Sequence, residues 1–427
     1  MTSAGDVIPL LSIRKNVSYD PYAALRFPEF RNLIVGSFLI TTALLIQEVV
    51  LGYELYRLTH DPLVLGFLGL AEAIPFIGLA LFGGYLADRR DKRTLMQQAL
   101  LVIIAGSVIL TWATLPSTQQ HLSQTAMLLI AYGVIALLGL ARGIFSPAAA
   151  SLKPFLVPRE HYGNSSTWSS TFWQAGAIVG PGCAGFLYAG VGFTGTLLLV
   201  IAMLALNFVL ISRIAKRPVP ASPTQENLWA SLREGLRYVF NQKIILYAIS
   251  LDMFSVLFGG VVAILPIFAD DILGVGAQGL GILRAAPAVG AMLTVIYCSY
   301  NPPLQKAWRN LLLAVLGFGL ATLVFALSKS FWLSVVALFF TGACDSISVV
   351  IRQTVLQVMP PDHLRGRVVA VNSIFISSSN ELGAFESGSA ARLMGTVPSV
   401  LFGAGMTLFT VGWIWRKSKD LFAVRLS

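Results

Sequence analysis

A chain of 427 residues that is 56% hydrophobic and 12% charged, with a mean hydropathy of +0.75, cannot be an ordinary soluble domain; such domains carry about 25% charged residues. The apolar residues run in long unbroken stretches, which excludes a β-barrel built from alternating segments of about ten residues. A formal charge of +10 would suit a polyanion, but the basic residues are placed by topology, and no nucleic-acid partner is expected.

In chain order, residues 1–32 hold neither an apolar h-region nor a small-residue cleavage site, so they read as a cytoplasmic tail and not as a removable signal. Twelve apolar runs follow, near 33–56, 63–87, 95–115, 125–150, 165–190, 192–212, 244–268, 279–299, 310–328, 331–356, 368–390 and 397–415. A bilayer-spanning helix needs about 20 such residues. The expectation is an all-α integral membrane protein with twelve transmembrane helices, in halves spanning 33–212 and 244–415. The linker 213–243 opens with "KRPVPASPTQEN" and continues as "LWASLREGLRYVF", where Leu228, Leu232, Leu236 and Phe240 recur every four residues opposite Arg233, Glu234 and Arg237. That spacing fits an interfacial helix on the cytoplasmic leaflet or a soluble helix packed on loops. Residues 416–427 form a second tail.

With the first tail inside and one crossing per run, the inside segments hold 24 of the 30 Lys and Arg residues, while only Arg57, Lys329 and Arg392 lie outside. This is the positive-inside pattern, with both termini cytoplasmic in a bacterial inner membrane.

The two halves repeat. Shifting by 203 positions brings Gly139, Gly163, Gly180 and Gly185 onto Gly342, Gly366, Gly383 and Gly388, and Pro158 onto Pro361. Shifting by 212 brings Gly69, Ala73, Pro75 and Gly78 onto Gly281, Ala285, Pro287 and Gly290. Each match joins runs of the same crossing direction, so the six-helix repeats are parallel, and a substrate site is expected near the midplane between them.

The charged stretch "GGYLADRRDKRTL" lies between the second and third runs, on the inner side. It resembles the signature loop of the major facilitator superfamily through Gly84, Leu86, Asp88, Arg89, Lys92 and Arg93, with Asp91 where that family usually has glycine. The resemblance implies a conformational latch formed by Gly84, Asp88, Arg89, Lys92 and Arg93. "GAIVGPGCAG" is similar to the family's antiporter motif through Gly176, Gly180, Pro181 and Gly185, with Ala184 replacing a glycine; small residues and a proline suit a kinked, closely packed helix. In the second half, "LPIFADDILGVGAQGLGILRAAPAVGA", "GACDSISVVIRQTVLQVMPPDHLRGRVVAVNS" and "SNELGAFESG" look like the branch that holds the enterobactin exporter and related multidrug exporters.

Charges inside apolar runs cost about 2.5–3.5 kcal/mol each at a helix centre and so face protein or water. Glu48, Glu72, Arg142, Asp252, Arg284, Asp345, Arg352, Glu381 and Glu386 are therefore the candidates for substrate binding and proton coupling, with ion pairs that only fix packing as the alternative. Glu48, Asp345 and Glu381 stand first for the proton. The repeat sets Arg142 against Asp345, and Glu72 against Arg284, which predicts that Arg142 and Asp345 meet near the cavity in one state and part in another. By depth, Asp252, Arg142, Asp345 and Arg352 fall toward the inner half, and Glu48, Glu72, Arg284 and Glu386 toward the outer.

No cofactor or metal is expected. Cys183, Cys298 and Cys344 form no C-x-x-C pair and read as small core residues, the four histidines lie in predicted loops, and no phosphate-binding glycine loop occurs. An enzyme would need a nucleophile beside a base, for which no motif is present. The reading is proton-coupled efflux of an amphiphilic small molecule, siderophore or drug, by a monomer that could work with a periplasmic or outer-membrane export partner. An importer or lipid-type transporter of the same fold is the alternative.

Overall fold

The computed structural model describes residues 20–216 and 228–423, and among these there are helices and turns but no strand. Ten segments are long and apolar enough to cross a membrane. The helices are α1 (Pro28–Thr59), α2 (Pro62–Arg89), α3 (Lys92–Ala113), α4 (Gln124–Leu152), then α5 and α6 as residues 162–191 and 193–212 of one segment. In the second half they are α7 (Lys243–Gly259), α8 (Gly276–Tyr300), α9 (Ala307–Leu327), α10 (Phe331–Val358), α11 (Asp362–Met394) and α12 (Thr396–Lys417).

The fifth and sixth runs meet at a break, and the seventh departs from the expectation. Gly192, at φ 72° and ψ 179°, breaks the α5–α6 segment without a loop, because glycine alone enters that region cheaply. The seventh run was expected to be continuous over 244–268. Instead α7 ends at Gly259 and gives way to a 3-10 turn at Val262–Ile264 and a π-turn at Phe268–Ile272. The carbonyl freed at Gly260 accepts the Ser387 hydroxyl at 3.0 Å, which is how broken helices survive at membrane depth.

α11 is the least apolar of the twelve helices. It carries Glu381, Glu386 and Arg392 and packs against α2 and α7. A polar helix is sheltered there from lipid. Large apolar side chains face outward from α3 (Leu101, Val108, Trp112) and α6 (Leu198, Leu206), a belt suited to acyl chains.

The repeat seen in the sequence is a repeat of contacts. A Cβ on Gly139 would strike the carbonyl of Glu72 in α2, and one on Gly342 that of Pro287 in α8. Gly180 lies on α1 at Thr42, Gly383 on α7 at Leu257; Gly185 lies on α8 at Ala277, Gly388 on α2 at Gly66. These three matched glycine pairs thus make matched helix approaches, within a half or across to the other. The side-chain pairs Asp61–Arg392 and Tyr56–Asp271 put the ends of α1 and of the α7 region at one end of the bundle. The starts of α1 and α7 then lie at the other end, where Glu29 meets Ala215 after α6 and Lys243 meets Asp420 after α12. The halves are therefore parallel.

The main apolar core runs from α1, α3 and α4 through Ile264, Phe268 and Leu283 to Phe325, crossing between halves at the Asp61 end. A second core around Trp308, Leu311 and Ile351 belongs to the second half alone. The linker helix Leu228–Asn241 packs on α11: Gly235 abuts the Arg367 carbonyl, Glu234 pairs with Arg367, and the Tyr238 hydroxyl donates to the Met359 carbonyl at 3.2 Å. Cys298 is buried, but Cys183 is exposed and is not a core residue.

Candidate functional site

A cavity of about 600 Å³ lies between the halves, walled by α1, α2 and α4 on one side and by the α7 region, α8 and α11 on the other. Five of the nine candidate charges converge on it: Glu48, Glu72, Arg142, Arg284 and Glu381. Arg142 is placed by Gly139. That glycine lets α4 lie directly on the α2 backbone at Glu72, and a residue three positions on shares the same helix face. Arg142 consequently pairs with Glu72, its guanidinium 5.8 Å from the centre of the Phe76 ring.

Arg284 reaches across the interface, Nη1 donating to Glu48 Oε1 at 2.9 Å. Its side chain is 8% exposed against 44% for Glu48, so the arginine is the sealed member of the pair and the carboxylate the wet one. Glu381 makes no hydrogen bond or ion pair within the described residues, although Glu72, Glu48 and Arg142 all act on it electrostatically. Three carboxylates thus face two guanidiniums. Glu381 is the carboxylate left without an ion pair, and the third cation of the cavity is Lys153.

The remaining candidates lie elsewhere. Asp252 and Arg352 form an ion pair between α7 and α10, only 6% and 3% exposed, with Asp345 close enough to interact electrostatically with both. None of the three lines the cavity, nor does Glu386. Arg142, expected with the inner group, is held by Glu72 of the outer group, and the Arg142–Asp345 pair is not the one formed in this structure.

Of the latch residues, the side chains of Gly84 and Asp88 lie outside the described set. Arg89 ends α2, Lys92 is buried with its ammonium 5.3 Å from the Phe155 ring centre, and Arg93 is half-buried in the first turn of α3. Asp91 caps α3, accepting from the Thr94 amide at 3.3 Å and its hydroxyl at 2.9 Å, a role glycine could not fill. The second motif divides: Gly176 and Gly180 pack on α1, while the Pro181 carbonyl and Gly185 meet α8 of the other half.

Sequence reasoning missed the closure at the Asp61 end. Arg392 Nη1 donates to Asp61 Oδ2 at 2.7 Å and the Tyr53 hydroxyl to Asp270 Oδ1 at 2.9 Å, while Tyr56 bonds Asp271. Glu54 accepts from Tyr188, whose hydroxyl accepts from Arg57 at 2.9 Å. Glu54, an acid within the first run, and the adjacent Asp270 and Asp271 were the available signals. The π-turn presents both aspartates to one stretch of α1, a use of π geometry often found at functional sites.

A membrane-embedded helical bundle with a charged cavity between its halves defines a transporter. The chain belongs to the Major Facilitator Superfamily, whose sequence model matches residues 33–384. It is 24% identical over 398 residues to the enterobactin exporter EntS of Shigella boydii serotype 4 (strain Sb227) and 25% identical to that of Escherichia coli O1:K1 / APEC, with 90% of each chain covered. The fold matches a D-xylose-proton symporter (TM-score 0.71, 15% identity, 94% and 99% of the two chains). It also matches a bacterial homologue of the human lysosomal transporter Spinster in an inward-facing state (TM-score 0.66, 16% identity, 92% and 96%).

Proposed function

We propose that this protein exports an amphiphilic small molecule, siderophore or drug, across the bacterial inner membrane by proton antiport and alternating access. The chain crosses twelve times with both termini cytoplasmic: the polar α11 is the eleventh crossing, and Gly192 separates the fifth from the sixth. The ion pairs and glycine contacts at the Asp61 end close the periplasmic side, and the cavity receives substrate from the cytoplasm.

The observation that carries this reading is Glu381, a cavity carboxylate with no hydrogen bond or ion pair among the described residues, beside the Glu48–Arg284 pair that bridges the halves. A bound proton or a cationic substrate group cancels that charge, and two occupants competing for one carboxylate is the minimal requirement for exchange. A ligand shifts the balance of states only through differential affinity, and Glu48–Arg284, made across the interface, is a contact that one state holds and the other loses. The similarity to enterobactin exporters supports the outward direction and the siderophore class.

Uptake into inverted membrane vesicles tests it. Siderophores and common drugs are offered under an imposed pH gradient, acid inside. Gradient-driven accumulation of one class is expected; equilibration that ignores the gradient would exclude antiport.

A further inference from the structure

The cavity has an arm toward the end that carries the start of α1. There Ser37, Lys153 and Trp173 line both the cavity and an adjoining pocket of about 320 Å³, which Ser166, Ser169 and Ser170 complete. Residues 166, 169, 170 and 173 fall at the spacing of one face of α5. Lys153 follows the last turn of α4. The chain thus brings four hydroxyls, one ammonium and an indole together, and no carboxylate lines the pocket.

The hydroxyls are not used as helix hydroxyls usually are. Thr167 and Thr171, on the same helix, donate back to the carbonyls of Gly163 and Thr167 at 3.1 and 2.9 Å, the ordinary local bond. Among the described residues Ser37, Ser166, Ser169 and Ser170 make no side-chain hydrogen bond, and the Ser169 oxygen is sealed from solvent without a partner. An unmet buried hydroxyl is costly. Lys153 has no carboxylate within ion-pair distance among the same residues, and Trp173 is 55% exposed, its ring bared to the pocket.

We infer that this arm is a subsite for the carboxylate of a ring-bearing anionic substrate, held by Lys153 and the serine hydroxyls with its ring against Trp173. It rests on the transporter reading and adds to it the charge of the molecule carried. Lys153 and the hydroxyls of Ser37, Ser166 and Ser170 supply donors for an oxyanion, and an ammonium–carboxylate contact is charge-assisted. Glu381, deeper in the cavity, repels a second negative charge and so fixes the direction in which the substrate lies: anionic end in the arm, uncharged or cationic portion toward Glu381.

Calorimetry on the full chain in nanodiscs tests this with two probes of one ring, the anionic 1-naphthylacetate and the uncharged 1-naphthylacetamide. The wild-type protein should bind the acetate about tenfold tighter, the scale of one charge-assisted bond. Lys153→Gln should abolish that preference and Lys153→Arg keep it, while Trp173→Ala should weaken both probes alike. Ser170→Ala, at an exposed position that folding tolerates, should cost the acetate alone about threefold. Equal affinity of the wild-type protein for the two probes, or a preference that survives Lys153→Gln, overturns the subsite. Binding needs no gradient, so failed proton coupling with the preference intact would fall on the antiport reading and not on this one.

Discussion

Glu72–Arg142 and Asp252–Arg352 are both carboxylate–guanidinium pairs within one half, the first joining α2 to α4 and the second α7 to α10. They differ in water. The first pair is 15% and 43% exposed and lines the cavity; the second is 6% and 3% exposed and does not. Removing one partner of a sealed pair leaves an uncompensated charge, whereas a wet partner can be hydrated. The first pair is therefore open to whatever enters the cavity, and the second is not.

The largest effect should come from Asp252→Asn, which removes the ion-pair partner of the sealed Arg352 and leaves it only the electrostatic pull of Asp345. A loss of about 3–5 kcal/mol is expected in thermal or denaturant unfolding in detergent, with most of it recovered in Asp252→Asn/Arg352→Met. No recovery in the double variant would break the comparison. Next comes the asymmetric bridge. Glu48→Gln strands the sealed Arg284 and should cost about 3 kcal/mol, while Arg284→Gln leaves a wet carboxylate and should cost about 1 kcal/mol. The reverse order would contradict the exposures. Glu72→Gln should cost about 1 kcal/mol or less, yet cut transport about tenfold or more, since Arg142 loses its anchor within the cavity. Smallest is Asp61→Asn at the rim, where an exposed pair with Arg392 is worth about 0.2–1 kcal/mol, read as a slight gain in accessibility of that end to thiol reagents at an engineered cysteine.

Much of this was legible before any coordinates. Length and hydropathy set the bundle, and the matched glycines marked the helix approaches that now prove equivalent in the two halves. Partner choice was less accessible. Opposite charges at repeat-related positions pointed Arg142 toward Asp345, but the bare backbone at Gly139 seats α4 on α2 and delivers Arg142 to Glu72. Hydropathy averages over a helix and does not tell which face meets water, so it could not separate the cavity charges from the sealed Asp252–Arg352 pair. The break after Gly259 escaped for a related reason: its neighbours are apolar enough to span, and the freed carbonyl is met by Ser387, in another helix. The Tyr53–Asp270 and Tyr56–Asp271 contacts join residues more than 200 positions apart, beyond any local pattern.

The central claim is that Glu381 couples the proton to the substrate. Inverted vesicles containing Glu381→Gln protein, loaded with unlabelled substrate, should still exchange it for labelled substrate at a rate near wild type, but should no longer accumulate it when an acid-inside gradient is imposed. Accumulation driven by that gradient at the wild-type level in Glu381→Gln vesicles would contradict the account.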